Sequence, residues 1–428
     1  MTLSSQAEGG RLPWSGLLAL SCAAFTAVLA ELLPAGLLPA MAPPLGVAES
    51  RIGFLVTAYA AASLVAAIPV TAALRGLPRR PVLCGALLGF AAGDALVALS
   101  SSYPLTVAAR LLAGAAGGTL WAMLAGYAAR MVPPERRGRA IAVVLAGITL
   151  ALALGVPAGT ALAGAVGWRA AFGTLAVLTA LLVGWVRLRV PGFPGEPPHA
   201  RAPLFRVAAR PGIRPVLCVT LFLLLGHQAM YTYVAPFAAQ AGYGATGVLL
   251  AVFGSATVAG VWLTGVLVDR RPRPTLLTAL ALVAAALLVL GVGARVHGLL
   301  VGAVALWGAA FGGAPTLIQT ALVDASGPAD ADVATSLQTT VYNAGIAAGS
   351  LTGGLALDAA GAGVLPWTAL PPVLLALTTV AAGRRHAFPA RRTAVATEAR
   401  APAGSAAVAV TCPAGDHAVR RWADGTGQ

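Results

Sequence analysis

The chain has 428 residues, of which 58% are hydrophobic and only 10% charged, with a mean hydropathy of +0.83; a soluble domain carries about 25% charged residues. All 28 basic residues are arginine and the net charge is +14, but they fall in short gaps between apolar runs, which excludes a nucleic-acid-binding face and points to an anionic bilayer leaflet as partner. Without lysine there is no phosphate-binding Walker loop, and no HExxH, CxxC or serine-elbow pattern occurs, so the chain is expected to be neither an ATP-driven pump nor an enzyme.

Twelve apolar runs follow one another, each near the roughly 20 residues a membrane-spanning helix needs. The first, residues 17–41, is too long for a cleaved leader and holds Glu31. Next come 52–73, then 82–101 with Asp94, then 105–129 with Arg110 and Trp121, ended by Pro133, Pro134 and the cluster Arg136, Arg137 and Arg139. Runs at 140–163 and 170–188 complete a first half, residues 1–189. Residues 190–213 are rich in proline and arginine and read as a cytoplasmic linker. A second half, 214–383, holds runs at 215–239, 246–268, 275–294, 298–322, 334–357 and 365–382. Residues 384–428 lose apolar periodicity and have the composition of a disordered tail. Cys22, Cys84, Cys218 and Cys412 lack metal-ligand spacing and read as small hydrophobes.

Arginine is distributed asymmetrically. With the N-terminus inside, the inner loops receive Arg11, Arg75, Arg79, Arg80, Arg130 to Arg139, Arg187 to Arg214, Arg270, Arg271, Arg273 and the tail, against Arg51, Arg169 and Arg295 outside. That bias places both termini in the cytoplasm.

The halves align at an offset of 194 residues: Gly53, Gly114, Gly118, Gly155, Gly159 and Gly167 fall on Gly247, Gly308, Gly312, Gly349, Gly353 and Gly361. Parallel six-helix repeats are a transporter arrangement whose substrate site lies between them at mid-membrane.

Several stretches together resemble one family. ELLPAGLLPAMAPPLGV at 31–47, GFLVTAYA at 53–60, LPRRPVL at 77–83, ARLLAGAAGG at 109–118, GVPAGTALAG at 155–164, GWRAAF at 167–172 and NAGIAAGSLTGGLALD at 343–358 are similar to the major facilitator superfamily. Within it they look like the twelve-span drug:proton antiporters of the arabinose-efflux and purine-nucleoside-efflux kind. The resemblance implies an all-α membrane protein with the major facilitator fold, twelve transmembrane helices in two six-helix pseudo-repeats.

It also implies roles for residues. The loop after the second span departs from the family pattern, with Thr71 and Arg75 in the glycine and aspartate slots, while Arg79 and Arg80 match; the second copy keeps Gly265, Asp269 and Arg270. The family implication is a cytoplasmic latch; topology-setting basic loops are the alternative. Arg110 with Gly114 matches the family's fourth-helix motif, which implies a part in proton transfer, the alternative being a pairing that steadies two helices. Gly155, Pro157, Gly159 and Gly164 resemble a reduced antiporter motif and imply a hinge, the alternative being close packing alone.

Independently of family, Glu31, Asp94 and Arg110 are the ionisable charges in the span interiors, all about 9–15 Å below the outer surface at a rise of about 1.5 Å per residue. Two acids and one base leave one carboxyl without a counter-charge, and that acid is expected to carry a proton until the cavity wets or a cationic substrate arrives. Asp94 and Arg110 are nearly level across the turn at 101–104 and are expected to be the static pair, leaving Glu31 to titrate; with Asp94 facing elsewhere the roles exchange. The second half offers His227, Gln228, Tyr231, Tyr233, Gln319 and Asn343 which, with Trp121, are candidates to line a pocket for an amphipathic molecule, each with core packing or an interhelical hydrogen bond as its alternative.

The expectation is a monomeric, proton-coupled transporter of a bacterial plasma membrane. It would export a small organic molecule such as a drug, sugar or nucleoside and use the proton gradient rather than a cofactor. Import by proton symport, and a membrane sensor or scaffold that no longer transports, are the alternatives.

Overall fold

The computed structural model describes residues 12–67, 69–74, 76–195, 212–267, 271–326, 331–383 and 388. These form fifteen α-helices. The first half has α1 (Trp14–Leu45), α2 (Glu49–Ala67), α3 (Pro69–Leu74), α4 (Arg79–Leu99), α5 (Tyr103–Arg130), α6 (Arg137–Leu150), α7 (Val156–Val166) and α8 (Trp168–Arg189). The second has α9 (Ile213–Tyr231), α10 (Val234–Gln240), α11 (Thr246–Leu267), α12 (Pro272–Gly293), α13 (His297–Ser326), α14 (Ala331–Ala360) and α15 (Leu365–Ala382). By length and composition, 11 helical segments suffice to cross a membrane. Helix α14, the expected span 334–357, is long enough at 30 residues but more polar, carrying Gln338, Thr339, Thr340, Asn343, Ser350 and Thr352. It lies against α2 and α9, which shelter those groups from lipid.

Two expected runs are broken, each for a stated backbone reason, while α2 and α3 flank residue 68, which lies outside the described residues. Pro236 lacks the N–H that would bond the carbonyl four residues back, and the helix opens at Thr232 and Tyr233, between α9 and α10. Pro157 has the same effect upstream: Ala151–Gly155 winds as a π-turn, in which the Val156 N–H reaches the Ala151 carbonyl. Helix α1 runs through Pro34, Pro39, Pro43 and Pro44 and stops at Gly46, whose φ of 63° is open to glycine. There the Gly46 N–H donates to Pro43 O and the Val47 N–H to Ala42 O, satisfying the last carbonyls.

The 194-residue repeat is visible in backbone packing. A side-chain carbon at Gly114 would strike the Tyr59 backbone, and one at Gly308 the backbone of Phe253, its repeat partner. Gly118 sits on Ser63 O as Gly312 sits on Thr257 O. In each half these glycines bring two helices into backbone contact, which van der Waals packing in a membrane rewards. Gly114→Ala and Gly308→Ala are therefore each expected to lower the melting midpoint in detergent, at an overpacking cost of about 1–3 kcal/mol. Gly126→Ala, with nothing within 4 Å of the added carbon, is expected to leave it unchanged or raised.

At the arginine-rich end the two halves make similar contacts, though Arg80 and Arg273 are one residue off the 194-residue offset. Arg80 donates to the carbonyls of Arg187 and Val190 at 3.4 and 3.5 Å, closing the C-terminus of α8. Arg273 donates to Ala381 and Val380 at 2.9 and 3.5 Å, closing that of α15. A cation at a helix C-terminus opposes the macrodipole and satisfies its last carbonyls. Here Arg80 joins elements of its own half. The Arg79 N–H donates to Phe193 O, and Gly265 is exposed with open space around it; Arg75, Asp269 and Arg270 lie outside the described residues. The first residues of the expected linker are packed: the Tyr127 hydroxyl donates to Pro191 O at 2.7 Å and its ring meets Phe193 edge-on. Residues 196–211 of that linker, and the expected tail beyond 383 except the buried Phe388, lie outside the described residues.

Candidate functional site

Helices α1, α2, α4 and α5 bring four polar side chains together inside the first half. Arg110 is fully buried at 0% exposure. Its guanidinium donates to three backbone carbonyls, Ala30 at 2.6 Å, Glu31 at 3.2 Å and Leu55 at 3.4 Å, and stacks 4.7 Å above the Tyr59 ring. Arginine suits this position because its planar fork reaches several acceptors while its face rests on an aromatic ring.

Around it the acids are held differently from the sequence expectation. Asp94 is fully buried within electrostatic reach of Arg110, but neither of its carboxyl oxygens accepts a hydrogen bond. The guanidinium is thus hydrogen-bonded to backbone carbonyls of α1 and α2, and its expected pairing with Asp94 is one of charge without a direct hydrogen bond. Glu31 is 8% exposed, and its Oε1 is buried with no partner. It lies within electrostatic reach of Tyr342 on α14, so Glu31 is the acid whose charge is felt in the second half, while Asp94 is buried in the first. Tyr59, with a buried and unpartnered hydroxyl, completes the group and feels Glu31, Arg110 and Asp94. Sequence reasoning passed over Tyr59 because a tyrosine in an apolar run reads as packing; the signal was that the glycine motif at 114–118 must face something bulky, and a side-chain carbon at Gly117 would meet the Tyr59 hydroxyl.

The second half contains an aromatic cluster. His227 and Tyr231 on α9, Phe253 on α11, and Trp307 and Phe311 on α13 have ring centroids 3.6 to 6.4 Å apart. The other expected pocket groups divide. Gln228 donates to Thr232, whose hydroxyl meets Ser350 at 2.8 Å, and the Tyr233 hydroxyl donates to Ser350 O at 2.8 Å, so these groups pin the break between α9 and α10 to α14. Asn343 is buried and donates to Thr339 O of its own helix. Trp121 packs half-buried on α5. Gln319 is exposed on α13, about 12 Å along the helix from Phe311 at a rise of about 1.5 Å per residue.

The halves meet at the end where α1 finishes and α2 begins. Gly53 packs on the Tyr233 ring, Gly36 faces Leu250, and Thr57 Oγ1 donates to Ala347 O at 3.4 Å. Farther in, the π-turn lies on Gly254 of α11, where a side-chain carbon would meet Ala153 Cα at 2.7 Å. Gly155 faces Phe25 and Gly159 faces Leu33, so both serve close approach to α1, whereas Gly164 has open space. Pro157 lines an apolar groove of about 800 Å³ between α7 and α11, with Ala158, Ala161, Val248, Ala251 and Ser255.

A helical bundle of this length and hydropathy, with buried charge in one half and buried aromatics in the other, is a multi-pass membrane transporter. Residues 20–350 and 238–410 match the family model of the Major Facilitator Superfamily, and the chain belongs to that superfamily, with its twelve transmembrane helices in two six-helix pseudo-repeats. It is 30% identical over 352 residues to the purine ribonucleoside efflux pump NepI of Escherichia coli strain K12, covering 81% of this chain and 88% of that one. The pump of the same name from Shigella flexneri matches equally, at 30% identity over 352 residues. Among solved structures, the human organic anion transporter MFSD10 (TETRAN) superposes with a TM-score of 0.66 at 19% identity, covering 87% of this chain and all of that one, and so shares the fold.

Proposed function

We propose that the chain exports a small organic molecule in exchange for protons, with purine ribonucleosides the first class to test. The two six-helix halves would rock about the seam between them, so that the central site opens to one side at a time. The observation that carries this is the surplus carboxyl: two buried acids share a layer with one arginine, and Glu31 is the acid whose charge is felt in the second half. Something mobile and positive has to balance it, and a proton is the smallest such partner. The name of the relatives at 30% identity supports efflux and the nucleoside class. Arginine asymmetry supports an orientation with both termini cytoplasmic, which makes the Gly53 and Tyr233 end the outer gate, closed in this conformation.

The test is substrate-driven proton movement in proteoliposomes of the purified chain. An inosine gradient imposed without a pH gradient is expected to drive protons in the opposite direction, read by an internal pH dye. Proton flux in the same direction as inosine would reverse the assignment to symport, and no proton flux across a panel of nucleosides, sugars and drugs would remove the proton-coupled reading.

A further inference from the structure

The aromatic cluster of the second half has features that a packing core does not need. The His227 imidazole lies flat on Phe311, with centroids 3.6 Å apart and 8° between planes, and Trp307 meets His227 edge-on at 5.2 Å. His227 Nδ1 and Trp307 Nε1 are both buried, and among the described residues neither has a hydrogen-bond partner. Leucine or phenylalanine would fill the same space without leaving a polar atom unmatched, which is costly in a buried site. The repeat adds a positional argument. Phe253 is the partner of Tyr59 across the 194-residue offset, and Trp307 and Phe311 are the partners of Ala113 and Gly117, in the two turns that follow Arg110. The aromatic box thus holds the place in the second half that the buried charges hold in the first.

We propose that this box receives the planar heteroaromatic ring of the exported molecule, in the first instance a purine base. The base would stack on Phe311 where the imidazole now rests, as bases stack on aromatic side chains generally. Trp307 Nε1–H would donate to a ring nitrogen, and His227, able to donate or accept through its imidazole, would read a second position. All five rings are buried, His227 at 6% and Trp307 at 1%, so a base would enter by displacing the His227 imidazole from Phe311. The inference rests on the efflux function proposed above and adds division of labour: one half handles the proton, the other the ring.

The test is equilibrium binding of radiolabelled inosine to the purified full-length chain in detergent, with Trp307→Phe and Phe311→Leu as variants that keep the core filled. Phe311→Leu is expected to raise Kd about 10-fold and Trp307→Phe about 5-fold, on the scale of one lost stacking or hydrogen-bonding contact. Hypoxanthine should compete with inosine and D-ribose should not. Unchanged Kd in both variants, even with a lowered melting midpoint, would make the box ordinary core and overturn the proposal. Competition by ribose in place of hypoxanthine, or wild-type protein that binds no purine, would overturn it too. Proton flux driven by a non-purine solute would then leave proton-coupled export standing.

Discussion

Glu31→Gln is expected to uncouple transport from the pH gradient while leaving the protein folded. Glutamine keeps the volume of glutamate and its hydrogen-bonding reach, so the buried site stays filled. What is lost is the exchangeable proton. A one-unit pH gradient holds about 1.4 kcal/mol per proton, enough for about tenfold accumulation by a one-for-one antiporter. In inverted vesicles under that gradient the variant is expected to hold no accumulation, with gradient-driven flux down by about 100-fold or more. Counterflow, in which labelled substrate trades places with unlabelled and no net proton moves, is expected to persist, because glutamine imitates the protonated state. Wild-type accumulation in Glu31→Gln would transfer the coupling role to Asp94.

The spans, the repeat and the layer of buried charge were legible because each follows from the cost of polar groups in hydrocarbon, a cost that composition reports directly. Glu31 and Arg110 stood out in sequence for that reason, and the structure brings them and Asp94 into one region. What could not be read was direction. Whether Arg110 turns to Asp94 or to α1 depends on helix rotation, and the carbonyls of Ala30, Glu31 and Leu55 carry no sequence signature. The same limit hid the aromatic box. His227 and Tyr231 were visible as a pair four residues apart, but Phe253, Trp307 and Phe311 come from two other helices, and only the 194-residue offset linking Phe253 to Tyr59 hinted at their meeting. Gln228 and Tyr233, which looked like pocket groups, are engaged by Thr232 and Ser350 once Pro236 has opened the helix. The linker was legible in composition, but not that Tyr127 and Arg79 hold its first residues.

Arg110 yields the second large effect, and a double-variant series assigns its partner. Arg110→Leu removes the positive charge from a layer that retains two carboxyls, and losing one member of a buried ionic group costs about 3–5 kcal/mol. A clear drop in melting midpoint and complete loss of transport are expected. Arg110→Lys is expected to restore little, since a single ammonium cannot reach three carbonyls and also lie flat over Tyr59. Adding Asp94→Asn to Arg110→Leu is expected to recover most of the melting midpoint without recovering transport, because among the described residues Arg110 is the charge that acts on buried Asp94. If Glu31→Gln compensates for Arg110→Leu and Asp94→Asn does not, the guanidinium's electrostatic partner is Glu31, and the proton would then be carried on Asp94, inside the first half.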